Sequence, residues 1–154
     1  MRTAAVSSLI AAIALIFMAF WFVVDAPLGT EGGAGTLQMT FSAIAAMYGF
    51  LHIGFFFAQY WGLDLRQVGN AALGVGIMQL AFLPVVAGFS NLLGFANMVA
   101  INVVLAWYVV IMAAVWGATH GRSSAKLAGY TLLIGFVLTF YLQFVASGIV
   151  PPPF

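Results

Sequence analysis

A chain of 154 residues, 65% of them hydrophobic and only 5% charged, has too few polar side chains to cover a globule in water, where soluble domains carry about 25% charged residues. An integral membrane protein is expected. The net charge of +1, with no basic cluster interleaved with aromatics, excludes a nucleic-acid partner. The absence of cysteine excludes disulfides, thiolate metal sites, cysteine-ligated iron–sulfur clusters and CxxC redox chemistry.

A hydrocarbon layer about 30 Å thick takes about 20 mostly apolar residues of helix to cross. That length occurs five times, over residues 4–24, 38–61, 69–90, 96–118 and 126–149. The expected fold is therefore all-α, a polytopic five-helix membrane bundle forming one transmembrane domain over residues 1–154. No stretch between the apolar runs is long enough for a soluble domain. The longest polar connection, Asp25 to Thr36, is a Gly-rich loop.

The first span follows Arg2, as a secretory signal would, but its apolar run of about 21 residues exceeds the usual 7–15 and ends in FWFVVD with no small-x-small cleavage site. It is expected to stay as a membrane helix. In the second span YGFLHIGFFFAQYW, residues 48–61, puts His52 among aromatic and aliphatic residues. Pro84 in the third span removes a backbone hydrogen bond and predicts a kink. The run from Ala71 to Gly117 is too long for one helix, and GFSNLLGFAN, residues 88–97, supplies the turn residues that divide it. A four-span chain with one long broken helix is the competing layout.

With five spans, Arg2, Arg66, Arg122 and Lys126 all fall on one side, while Asp25 and Glu31 face the other without a cation. Lys and Arg are retained on the cytoplasmic side during insertion. The N-terminus is therefore expected in the cytoplasm and the C-terminal PPPF outside, in a prokaryotic inner membrane. Trp21, Tyr60, Trp61 and Trp116 lie near helix ends, as an aromatic belt requires.

Between helices in lipid, small residues admit close approach and polar groups bond across the contact. Four spans carry both on one stripe: Ala45, Gly49, His52, Phe56 and Gln59; Ala72, Gly76, Gln79 and Leu83; Asn102, Ala106, Ala113 and Gly117; Gly135, Thr139, Gln143 and Ser147. The candidate interhelical or pathway residues are thus Tyr48, His52, Gln59, Gln79, Asn102, Thr139 and Gln143.

His52 is the one candidate for binding a cofactor, with Phe50, Phe55, Phe56 and Phe57 around it for a buried macrocycle. Haem held between two histidines does not fit, because at 1.5 Å per residue His120 differs from His52 in depth by very roughly 14 Å. Five-span b-haem subunits of respiratory reductases share only the helix count with this chain, not their paired histidines. No span holds a carboxylate or a mid-helix lysine, which argues against a metal site, ion-coupled carriage and retinal binding. TEGGAG, residues 30–35, lacks the strand and the Lys-Ser/Thr of a phosphate loop, and HGRSSAK, residues 120–126, reads as a cytoplasmic loop capping the last span.

The leading expectation is a non-catalytic accessory subunit of a larger membrane complex, an energy-converting one, packed against other integral subunits and lipid. In it His52 would hydrogen-bond Gln79 or a partner group. A small channel or facilitator, alone or as a homo-oligomer, is the first alternative, and a cofactor-carrying subunit using His52 is the second. The cofactor itself is left unspecified.

Overall fold

The computed structural model describes residues 2–146, and within them every side chain except those of Arg2, Phe140 and residues 142–146. The described residues are all-helical or connecting, with α1 Arg2–Val24, α2 Gly32–Trp61, α3 Leu65–Gly88, the single-turn α4 Ser90–Leu93, α5 Phe95–Thr119 and α6 Ala125–Ala146. Four of the long helices meet the length and hydropathy of a membrane crossing over their described residues. The fifth, α6, has 22 residues, about 33 Å at 1.5 Å per residue. The expected class, an all-α membrane helical bundle, is the one observed, with four long apolar helices and a fifth that is apolar over a shorter described stretch, Ala125–Thr139. The end of the expected fifth span, residues 147–149, and PPPF lie outside the described residues.

The chain forms two compact units, Met1–Val75 and Gly76–Phe154. In the first, α1 and α2 run antiparallel. Their contact is built on alanines seven residues apart in α1, Ala5, Ala12 and Ala19, all buried. Gly49 of α2 lies against them so tightly that a Cβ there would sit 2.7 Å from Ile16 Cγ1 and 3.3 Å from the Ile16 backbone nitrogen. Lipid tails are as apolar as leucine, so this contact gains from dispersion between closely approaching backbones and not from water release. The other faces of α1, with Ile10, Ile13, Phe17, Phe20 and Val24, are exposed, as lipid-facing residues are.

The connection from α1 to α2 is shorter than expected. Only Asp25–Glu31 is non-helical, and the glycines of TEGGAG, read from sequence as loop, open α2, which starts at Gly32. In a membrane a helix satisfies its own backbone groups, so glycine is tolerated there more readily than in water. The loop is tied at its start and its middle: Trp21 Nε1 donates to Asp25 Oδ2 at 2.8 Å, and the Leu28 amide donates to the buried Gln38 Oε1 at 2.9 Å. α2 stops at Gly62, whose φ of +69° is a left-handed cap. The Asp64 carboxylate then accepts from the Arg66 amide at 2.9 Å, so α3 starts at Leu65 and the expected loop 62–68 shrinks to three residues.

In the second unit α3 continues through Pro84 to Gly88, and α5 begins at Phe95 after the α4 turn and Gly94, at φ +76°. α3 and α5 run antiparallel: Gly76 faces Met112, and Leu83 and Pro84 share a groove with Asn102. This pairing replaces the competing layout of one long broken helix. α5 and α6 form a second antiparallel pair, with Gly135 against Ile111 and Trp107.

Candidate functional site

Of the sequence-derived candidates, Tyr48, His52 and Gln59 belong to the first unit and Gln79, Asn102 and Thr139 to the second. Tyr48 is buried. Gln59, half-buried, meets Ser8 of α1, whose hydroxyl lies 3.5 Å from Gln59 Oε1. Ser42, further back on the same face, donates to the Ala19 carbonyl at 2.8 Å. The stripe expected on α2 is therefore its α1-facing side, and Ser42 and Gln38 extend it toward the N-terminal end of the helix.

His52 sits on this stripe between Gly49 and Gln59. Its ring is half-buried, tilted against Phe55 with centroids 6.4 Å apart. Nδ1 is buried and meets no hydrogen-bond partner among the described residues. An open groove of about 450 Å³ on the same unit runs between Met47, Phe50, Leu51 and Gly54 of α2 and Val68 and Ala71 of α3. His52 does not line it.

In the second unit Gln79 is wholly buried in α3. Asn102 is half-buried on α5. Its Nδ2 lies 3.4 Å from Met98 Sδ, and its Oδ1, also buried, meets no hydrogen-bond partner among the described residues. Together with Pro84, Leu83 and Ala87 it lines an open groove of about 480 Å³. Of the other residues on the stripe expected on α5, Gly117 is buried whereas Ala106 and Ala113 are exposed. α5 also buries Val104, Leu105, Ile111, Met112 and Val115, bulkier residues outside the small-residue pattern.

Thr139 takes part in the α5–α6 contact. Its hydroxyl donates to the Gly135 carbonyl at 2.7 Å, which uses its only proton, so Tyr108 OH, 3.0 Å away, is the donor to Thr139 Oγ1. Trp107 Nε1 adds a second tie, donating to the Thr131 carbonyl at 3.0 Å. Gln143 lies on α6, with its side chain outside the described residues. Among the described residues no three His, Asp or Glu side chains gather as a metal site would require.

Sequence reading missed three features. One is the seven-residue alanine repeat of α1, whose period was legible but whose residues carry no polar group to draw notice. Another is Gln38, which lies just beyond the expected boundary loop. The third is an aromatic ladder ending α2: Phe57 and Trp61, four residues apart, stack with centroids 4.7 Å apart and planes 2° from parallel, flanked by Phe56 against Tyr60 at 5.5 Å.

Comparison with known protein families, with characterised proteins and with solved structures finds no match to this chain. Its helices define it as a multi-pass integral membrane protein.

Proposed function

We propose that this protein is a non-catalytic accessory subunit of a larger integral membrane complex, an energy-converting one of respiratory or photosynthetic type, in the cytoplasmic membrane of a prokaryote. The observation that carries the reading is the α2 ladder. Phe57, Tyr60 and Trp61 are 39%, 56% and 62% exposed, yet their rings are already ordered by mutual stacking. Such a surface offers a partner helix or a flat cofactor at the complex edge a large contact with little side-chain entropy left to lose. Tyr60 and Trp61 also suit the membrane interface, which sets the depth of the contact.

Purification from native membranes in mild detergent, with mass spectrometry and an absorption spectrum, tests this. Other integral subunits should copurify with the chain, and Phe57→Ala with Trp61→Ala should release them without unfolding it. Recovery of the chain alone and colourless from native membranes would defeat the proposal. The orientation, with the N-terminus in the cytoplasm, draws on the placement of Arg2, Arg66, Arg122 and Lys126. Because the chain has no cysteine, single cysteines introduced at each end report sidedness directly.

A channel or facilitator is the second reading, favoured by the buried amide oxygen of Asn102 beside the Pro84 groove. Protein reconstituted alone into liposomes should then pass solute, and Asn102→Leu should abolish the flux. Use of His52 to hold a cofactor would show as an absorption band lost in His52→Leu.

A further inference from the structure

The charges divide unequally between the two units. All three carboxylates, Asp25, Glu31 and Asp64, precede residue 76, whereas the second unit holds Arg122 and Lys126 with no Asp or Glu at all. Both cations are exposed and sit at one place, the turn from α5 to α6.

That turn is well braced. Gly121 takes a φ of +68°, and the amides of Arg122 and Ser123 both donate to the Gly117 carbonyl, at 2.8 and 3.1 Å. The Arg122 guanidinium is held 5.1 Å from the centroid of the Trp116 ring, a cation–π contact. His120 flanks the same ring at 4.9 Å, and its Nδ1 lies 2.8 Å from the Trp116 carbonyl. Ser124 caps α6 by accepting the Leu127 amide at 3.1 Å, which leaves its hydroxyl proton available to another acceptor. The positive end of the α6 dipole adds to the field of Arg122 and Lys126. Past the cap, Leu127, Tyr130 and Ile134 follow helical spacing and are exposed, an apolar track leading away from the cations.

We propose that Arg122, Ser124, Lys126 and Trp116 form a binding site for the phosphate of an anionic phospholipid, whose acyl chains lie along Leu127, Tyr130 and Ile134. The apolar track beside the cations selects a lipid over a soluble anion. An indole next to a cation marks headgroup depth.

Native mass spectrometry of detergent-released protein titrated with phosphatidylglycerol or phosphatidylcholine tests this. Phosphatidylglycerol should be retained in preference, and Arg122→Gln with Lys126→Gln should lower its retention about 30-fold, as expected for two basic side chains near an anionic headgroup. Arg66→Gln, on the other unit, should change nothing. Both substituted side chains are exposed, so folding is not at stake. A salt titration of the unaltered protein gives an independent readout, since high ionic strength should release phosphatidylglycerol selectively. Equal retention of the two lipids, an unchanged double variant, or displacement of phosphatidylglycerol by millimolar inorganic phosphate would each overturn the proposal.

Discussion

Each unit contains an antiparallel pair of long helices, and the two pairs achieve close contact by different chemistry. Between α1 and α2 the contact is made of Ala5, Ala12, Ala19 and Gly49, with the Ser42 hydroxyl bonding the Ala19 carbonyl. Between α5 and α6 a glycine, Gly135, again lets the helices approach, here against Ile111 and Trp107, and aromatic side chains donate across the contact, Trp107 to a backbone carbonyl and Tyr108 to Thr139. In lipid, where apolar surface gains nothing by leaving its solvent, shape and hydrogen bonding are the two available sources of helix affinity. The first pair relies mainly on shape, the second on both.

The contrast is open to direct test. Gly49→Leu should have the largest effect, because the added side chain meets the α1 backbone and cannot be relieved by a rotamer change. Unfolding by dodecyl sulfate in mixed micelles should show a loss of about 3 kcal/mol, the upper range for overpacking. A loss no greater than that of a single hydrogen bond would mean that α1 and α2 are not held by close approach. Gln38→Leu should cost less, about 1 kcal/mol, since the Leu28 amide it abandons is at an exposed loop. Its specific signature is faster hydrogen exchange at Leu28, with the α1–α2 contact otherwise intact. Smallest is Thr139→Val, about 0.6 kcal/mol, typical of interhelical hydrogen bonds in membranes. A double-mutant cycle with Tyr108→Phe should recover most of that value as coupling. A cycle with no coupling would leave the α5–α6 pair as dependent on shape as its counterpart.

Several local choices were legible in the residues before the tertiary contacts. The stop of α2 after Trp61 is where the apolar run ends, and Gly62 makes the left-handed cap there, whereas the restart at Leu65, four residues before the expected span, depends on Asp64 accepting from a first-turn amide. The turn between α3 and α5 follows from the glycines, serine and asparagine of 88–97. Less legible was where α2 begins. Glycine reads as loop when judged by its behaviour in water, yet α2 takes up Gly32, Gly33 and Gly35. The candidate site was legible only in part. The α2 stripe through Gly49 and Gln59 faces α1 as its period implies, whereas on α5 the pattern holds only at Gly117, since Ala106 and Ala113 are exposed and most of the buried residues are bulkier ones outside it.

The sequence by itself determined that this is an all-helical membrane protein. Its residues can neither cover a water-facing surface nor satisfy backbone groups in lipid except within helices. Only the tertiary structure decided which side of each helix meets another: that alanines at a seven-residue interval carry the α1 contact, that Gln38 reaches back to Leu28, and that Tyr108 rather than a lipid tail meets Thr139. In a water-soluble fold the hydrophobic side of a helix announces itself. Here the lipid-facing and helix-facing sides are both apolar, so hydropathy does not separate them, and the choice falls to the fit of side chains in three dimensions.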